Sequence, residues 1–314
     1  MTVQWYPGHM HRTSKAIAER MAEIDVVIEL LDARLPGSSA NPLLARLRGD
    51  RPVLMVLNKQ DLADPARTAL WLDWYRARTA TGALALDAAE RAAARLLIDA
   101  CRALAPGRHG LAKPLRVLIC GIPNVGKSTL VNALCGRRMA KTGDEAGITR
   151  MEQRILLADD FYLFDTPGML WPKIEIERSG YFLAASGAIG RNAYDDVEVA
   201  LELLDVLRAD YPERLAQRFG LAAPVEVSAT PADQLLTEIG RRRGALQSGG
   251  RVDEQKAAER VLADFRSGAL GRVTLETPER FVQWQAEADR ARQEREAQRV
   301  ERRQQRHPRQ ASSR

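Results

Sequence analysis

The sequence predicts an α/β fold in which a mainly parallel sheet, covered by helices on both faces, is followed by a small all-helical domain. Short apolar runs alternate with helix-like segments up to about residue 176, and from about residue 177 the pattern contains only helices. Alternation of this kind produces parallel strands buried between layers of helices. With 314 residues, 45% of them hydrophobic, the chain is long enough for two such domains.

The first half of the chain contains the strand signals. The buried apolar runs lie at 25–33, 52–59, 82–88, 115–121, 152–159 and 160–168. Between and before them, amphipathic segments predict helices at 11–24, 41–47, 64–78, 90–105 and 126–136. Asp64 is the expected cap of the third of these helices, with Pro65 at its first position. The later helices are expected at 180–190, 196–211, 212–220, 231–244 and 251–268.

A phosphate-binding loop follows the fourth strand. GIPNVGKS, residues 121–128, fits the pattern GxxxxGK[ST] between a predicted strand and a predicted helix. Backbone N–H groups would face the phosphates, Lys127 would neutralise the β and γ oxygens, and Ser128 would offer its hydroxyl to Mg²⁺. The residues assigned to nucleotide contact here are Asn124, Val125, Gly126, Lys127, Ser128 and Thr129.

A base-binding motif precedes that loop, the reverse of the usual order. NKQD, Asn58 to Asp61, ends the second strand, at the edge where open parallel sheets bind ligands. The carboxylate of Asp61 can accept the ring N–H and the amine of guanine, whereas adenine would oppose it with a lone pair. Asn58, Lys59 and Asp61 together therefore indicate GTP rather than ATP.

Two further segments fit the γ-phosphate side of such a site. DTPG follows the sixth strand, so Asp165 is expected near Mg²⁺ and the Gly168 N–H near the γ-phosphate. Between this motif and the phosphate loop, GITR offers Thr149 as a switch residue that reaches Mg²⁺. A solvated turn is the alternative for Thr149.

These motifs, with WYPGHM near the N-terminus and GALGRVTLE at 268–276, resemble the circularly permuted ribosome-assembly GTPases of the RbgA/YlqF family. The resemblance implies a permuted Ras-like P-loop GTPase domain at 1–176, a helical domain at 177–276 and a basic tail at 277–314. It also implies a role in maturation of the large ribosomal subunit. Asp87 and Ala88 stand where the family's base-contacting Ser-Ala pair is expected, and Ala146 replaces a usual proline.

Permutation explains the motif order. In a circular permutation the usual N- and C-termini are joined, and the chain instead begins and ends after the DTPG motif. Every loop then stays at the same edge of the sheet. The helical domain follows directly on the segment that senses the γ-phosphate. A structural change at the γ-phosphate could then alter the orientation of the helical domain through only a few connecting residues. This inference rests on the order of the motifs along the chain.

The water-orienting group is the unusual part of this site. Ras-like enzymes place a glutamine after DxxG, but Met169 stands here, and a thioether cannot orient water. His9 is the candidate catalytic residue, which the resemblance also implies, in a leader expected to be mobile until a partner binds. An exposed or structural histidine is the alternative, and His11 is a further candidate. The resemblance links Asn124 to a bound K⁺; a loop-stabilising asparagine is the alternative.

Charge indicates a polyanionic partner. Residues 277–314 hold ten Arg against six acids within a chain of net charge +6, which predicts contact with rRNA, or alternatively a solvated tail that is helical at 291–303.

The three cysteines suit neither disulfides nor zinc, and we expect a cytoplasmic monomer without a membrane span. The partners expected are GTP, GDP and the large-subunit precursor. Alternatives are a non-hydrolysing GTP-regulated RNA-binding scaffold and a small-subunit permuted GTPase.

Overall fold

The computed structural model describes residues 3–88, 92–108, 110–135 and 153–306. The strands are β1 (Val26–Asp32), β2 (Val53–Asn58), β3 (Thr81–Ala85), β4 (Leu115–Gly121), β5 (Gln153–Ala158) and β6 (Phe161–Asp165). The helices up to β6 are α1 (Gly8–Met21), α2 (Pro36–Ser39), α3 (Pro42–Arg48), α4 (Pro65–Arg76), α5 (Ala92–Leu104) and α6 (Lys127–Cys135). After β6 come α7 (Glu177–Ser186), α8 (Asp196–Asp210), α9 (Pro212–Phe219), α10 (Pro224–Ala229), α11 (Ala232–Arg242), α12 (Glu254–Ser267) and α13 (Pro278–Arg306). None of the helices in the described ranges combines the length and apolar character that a membrane span requires.

The six strands form one sheet in the order β3-β2-β1-β4-β6-β5. Only β5 pairs antiparallel, with β6, and the other neighbours pair parallel. Every residue of β1 and β2 is buried, as expected for central strands covered on both faces. The predicted fold class is therefore confirmed. The carboxyl ends of the parallel strands meet at one edge, where ligands bind in open α/β sheets.

The N-terminal leader is docked, and the expectation of a mobile leader is wrong. The helix α1 begins at Gly8 rather than near residue 11, and its inner face buries Met10 and Ile17. Upstream, the side-chain amide of Gln4 donates to the carbonyl of Ile174 and accepts from its N–H, both at 3.0 Å. Apolar residues at helical spacing explain the docking, because they give the short helix a continuous buried face.

The helices after β6 contact the first half of the chain again after α12, not only through the segment directly after β6. Between α12 and α13 the chain returns and pairs with the first domain: Leu275 N–H donates to the carbonyl of Arg34 at 2.7 Å. The next helix, α13, starts well before the predicted segment 291–303 because Phe281 packs edge-on against Trp71, with ring centroids 5.8 Å apart. This second contact limits how freely the C-terminal helices can move relative to the sheet.

Candidate nucleotide site

The phosphate loop connects β4 to α6, as predicted. Lys127 is the first residue of α6, so the loop's backbone N–H groups lie at the N-terminus of a helix that follows a strand. Gly126 has a φ of 95°, and a β-carbon there would collide with the side-chain amide of Asn58. Glycine is therefore required at this position by both backbone conformation and space.

A buried ion pair lies under the loop. The Nζ of Lys127 is 2.5 Å from Oδ1 of Asp165, and both side chains are almost fully buried. The other oxygen of Asp165, Oδ2, is buried and has no hydrogen-bond partner within the described part of the chain. A buried carboxylate oxygen of this kind is costly unless a cation or donor meets it. The oxygen donors of Asp165 and of Ser128, the second residue of α6, therefore fit Mg²⁺. Thr149, the third proposed ligand, lies outside the described residues.

Asn58 connects the base-binding loop to its neighbours. Its Nδ2 donates to the carbonyl of Val125 at 2.7 Å, and its Oδ1 accepts from the N–H of Ala88 at 2.9 Å. The structure thus brings the base motif, the phosphate loop and residues 87–88 together. The contact between Ala88 and Asn58 uses the backbone N–H of Ala88. It therefore does not require the serine that the family is expected to have at the position of Asp87. Asp61 is exposed in the short turn after β2, where its carboxylate is accessible.

A buried charge cluster at the end of β1 was not predicted from the sequence. Asp32 accepts from Nε and Nη2 of Arg34 at 2.9 and 2.7 Å, and from Nζ of Lys59 at 3.0 Å. Burial alone would raise the pKa of Asp32, but the charges of Arg34 and Lys59 outweigh it and hold this pKa well below its usual range. Lys59 also donates to the carbonyl of Asn124 at 2.9 Å. The only sequence signal was a pair of opposite charges directly after an apolar strand.

The phosphate loop and the loop after β1 both contact the C-terminal helices. Nδ2 of Asn124 donates to the carbonyl of Gly187, at the end of α7, at 2.8 Å. Nη1 of Arg34 donates to the carbonyl of Phe265 in α12, also at 2.8 Å, and its guanidinium lies 4.5 Å from the Phe265 ring centroid. A cleft of about 1180 Å³ at this junction is lined by Lys59 from the base loop together with residues of the helical domain. The helical domain therefore forms part of the surroundings of the nucleotide loops.

The DTPG segment packs directly on the phosphate loop. A β-carbon at Gly168 would lie 2.9 Å from Cα of Pro123, so only glycine permits this approach. The N–H of Met169 donates to the carbonyl of Gly121 at 3.0 Å. The Met169 side chain is only 2% exposed and packs in the core, so it presents no group to water.

His9 lies in the first turn of α1, beside the segment that follows DTPG. The adjacent Met10 is fully buried, and its sulfur accepts from the N–H of Leu170 at 3.5 Å. The Nε2 of His9 is buried and lacks a hydrogen-bond partner among the described residues. His11 is exposed. Of the two candidate histidines, His9 is thus the one with a buried nitrogen that has no partner among the described residues.

The fold and the site define a circularly permuted, Ras-like P-loop GTPase. A family model described as a 50S ribosome-binding GTPase matches residues 116–220. The chain is 41% identical to ribosome biogenesis GTPase A of Priestia megaterium over 88% of this chain and 98% of that protein. It is 30% identical to mitochondrial ribosome-associated GTPase 1 of Mus musculus, over 87% of this chain and 90% of that protein. The GNP-bound structure of YlqF from Thermotoga maritima shares the fold, with a TM-score of 0.61 at 23% identity over 85% of this chain and 99% of that one.

The chain belongs to the ribosome biogenesis GTPase A family. It is a GTP-hydrolysing enzyme. The alternative of a non-hydrolysing scaffold is therefore set aside.

Proposed function

We propose that this GTPase is an assembly factor of the large ribosomal subunit, which it binds through rRNA in a GTP-dependent way. The names of its relatives and the description of the matching family model support a ribosomal partner. The observation that carries the proposal is the hydrogen bond from Asn124 in the phosphate loop to Gly187 in the helical domain. A change in this loop on hydrolysis alters a contact of the helical domain directly, so nucleotide state can control a ribosome-binding surface.

In the proposed site, Asp61 reads guanine while Asn58 and Lys59 fix the base loop against the phosphate loop. Residues 124–129 hold the phosphates, and the Gly168 N–H faces the γ-phosphate. Ser128 and Asp165, with Thr149, hold Mg²⁺, which when bound neutralises charge on the phosphate oxygens. K⁺ beside Asn124 is a further proposed ion. Faster hydrolysis in K⁺ than in Na⁺ buffers at equal ionic strength would support it, and equal rates would contradict it.

His9 is the proposed catalytic residue. An imidazole can orient or deprotonate the attacking water, a task that the buried Met169 cannot perform. The unpartnered Nε2 supports this role, because no described residue occupies that nitrogen and it can form a hydrogen bond with water. The docking of α1 suggests that a bound partner adjusts the position of the first turn rather than ordering a free leader.

The arginine-rich end of α13 is a proposed rRNA contact. Its exposed arginines extend beyond the part of the helix that packs on the two domains, so they can reach phosphates without disturbing the core. We further propose that the protein is a cytoplasmic monomer, with its GTPase domain at 1–176, its helical domain at 177–276 and the basic tail beyond.

Sedimentation with purified ribosomal subunits tests this function. The protein is mixed with large or small subunits in GDP or in a non-hydrolysable GTP analogue. We expect it to pellet with large subunits, and more completely with the analogue. Lys127→Ala should lose triphosphate binding and this nucleotide dependence, whereas Lys113→Ala, an exposed lysine elsewhere, should behave as wild type. Preferential pelleting with small subunits would support the alternative partner instead.

A further inference from the structure

A second cavity, of about 320 Å³, lies apart from the nucleotide loops. It is enclosed by the β1–β2 face of the sheet, by α3 and α4, by the segment 171–176 that links the two domains, and by α13. We call it the linker cavity. Its volume falls at the lower end of the range for small-ligand sites, which begins at roughly 300 Å³. Its lining includes no residue of the phosphate loop or the base motif.

The wall formed by β1 contributes a carboxyl group with unused capacity. Glu29 is 4% exposed, and its Oε1 accepts from the backbone N–H of Asn41 at 2.6 Å. No hydrogen bond among the described residues reaches Oε2. Burial raises the pKa of Glu29 to about 7, although the Asn41 hydrogen bond and the charge of Arg48 oppose that rise. A ligand N–H donated to Oε2 would therefore add a second hydrogen bond to this carboxyl group.

A free guanidinium and aromatic surface line the same cavity. The guanidinium of Arg78 lies 3.6 Å from the ring centroid of Trp74, and within the described part of the chain its side chain makes no hydrogen bond or ion pair. Trp171 is a further aromatic residue of the lining. The rim charges are different, because Lys173 already pairs with Glu175 at 2.8 Å. The cavity therefore combines a buried acceptor, unused cationic donors and aromatic surface.

We propose that the linker cavity binds one unpaired nucleotide of RNA, with the N–H edge of its base on Glu29 and its phosphate on Arg78. Splayed bases are commonly recognised by aromatic stacking together with hydrogen bonds to their edges, and arginine binds phosphate. Guanine presents two adjacent N–H donors, one for Oε2 and one for the remaining lone pair of Oε1, whereas uracil presents a single N–H, so guanine is the preferred base. This inference rests on the proposed function, because it identifies where rRNA is read.

The linker cavity lies beside the segment that follows DTPG, so RNA binding there can be coupled to nucleotide binding. Trp171 and Ile174, which line it, belong to the segment directly after DTPG, and Gly168 packs on the phosphate loop. A base in the cavity would therefore contact the segment that, in the proposed function, responds to the γ-phosphate. Any difference in base affinity between the GTP and GDP states must be matched by an equal effect of RNA on nucleotide affinity.

Binding of short RNAs tests the proposal. The full-length protein is saturated with GDP and Mg²⁺ and titrated with fluorescently labelled RNA heptamers of uridine carrying G, A, C or U at the central position. We expect the central-G heptamer to bind about tenfold more tightly than heptauridine, the effect of one satisfied buried hydrogen-bonding group. Tryptophan fluorescence should change in parallel, because Trp74 and Trp171 line the cavity.

Three variants localise the effect. Glu29→Gln should abolish the preference for G. Arg78→Ala, at an exposed position, should weaken all four heptamers about tenfold without affecting folding. Arg46→Ala, on α3 but outside the cavity, should bind as wild type.

Equal affinities for all four heptamers in the wild type, or a G preference that persists in Glu29→Gln, would overturn the proposal. The proposal would also be overturned if GMP bound as tightly as the central-G heptamer and caused the same change in tryptophan fluorescence. The cavity would then be a site for a free nucleotide. Pelleting with large subunits is measured in parallel. If Arg78→Ala pellets with large subunits as completely as the wild type, the linker cavity is not an rRNA contact, but the proposed function stands. Absence of wild-type pelleting contradicts the proposed function itself.

Discussion

Replacing Arg34 with methionine tests the buried charge cluster at the end of β1. The substitution keeps an unbranched side chain but removes both hydrogen bonds to Asp32, the hydrogen bond to the carbonyl of Phe265 and the contact with that ring. Asp32, 1% exposed, would then retain only Lys59 as a charged partner. Breaking a buried ion pair by removing one member costs about 3–5 kcal/mol, because the remaining charge stays desolvated.

Urea unfolding measures this cost, with Arg292→Met as the matched control. Arg292 pairs with Asp289 at 2.8 Å, but both side chains are nearly half exposed, so its loss should cost less than about 1 kcal/mol. Adding Asp32→Asn to Arg34→Met should recover part of the lost stability, since no full charge then remains unpaired. An Arg34→Met destabilisation no larger than that of the control would refute the assignment of this cluster as a structural connection between the domains.

Three further predictions concern the base, pH and the tail. Asp61→Asn should weaken GTP strongly and favour xanthosine triphosphate in competition binding, and unchanged GTP affinity would remove the base assignment. Burial raises the pKa of Glu276 to about 7, so ionisation of this residue should lower the free energy of unfolding by up to about 3 kcal/mol as pH rises from about 4.5 through 7. Glu276→Gln should remove this part of the pH dependence of the free energy of unfolding. An unchanged pH dependence in the variant would argue against it. Truncation after Arg292 retains Phe281 and removes seven arginines, so it should preserve GDP binding while reducing the salt dependence of RNA binding. An identical salt slope would exclude the tail as an RNA contact.

The sequence was most informative where local chemistry determines structure. Apolar runs bounded by glycine, proline or polar residues correctly indicated β1, β2 and β4, because a doubly covered strand must be apolar on both faces. The cap predicted for α4 is also confirmed: Asp64 accepts from the N–H groups of Ala66 and Arg67. The phosphate and base motifs could be positioned in the same way, since each directly follows a strand.

Contacts between distant segments could not be predicted in this way. Arg34 meets Phe265 through the packing of α12, and no local pattern in either segment specifies that distance. Glu29 stands as a single charge within an otherwise apolar run, a signal that gained meaning only when the structure showed a cavity beside it. The docking of the leader was missed for a related reason, because its partner Ile174 lies 170 residues away from Gln4.

Single-turnover GTP hydrolysis with and without purified large ribosomal subunits tests the central claim most directly. Wild-type protein, His9→Ala and the matched control His11→Ala are compared, and GTP affinity is measured separately. We expect large subunits to accelerate the wild type and the control, while His9→Ala loses roughly 10²-fold of the stimulated rate, the effect of removing one positioned acid–base group, with GTP affinity within a few-fold of wild type. A wild-type rate that large subunits do not change, or a stimulated His9→Ala rate equal to wild type, would contradict a ribosome-activated GTPase that uses His9.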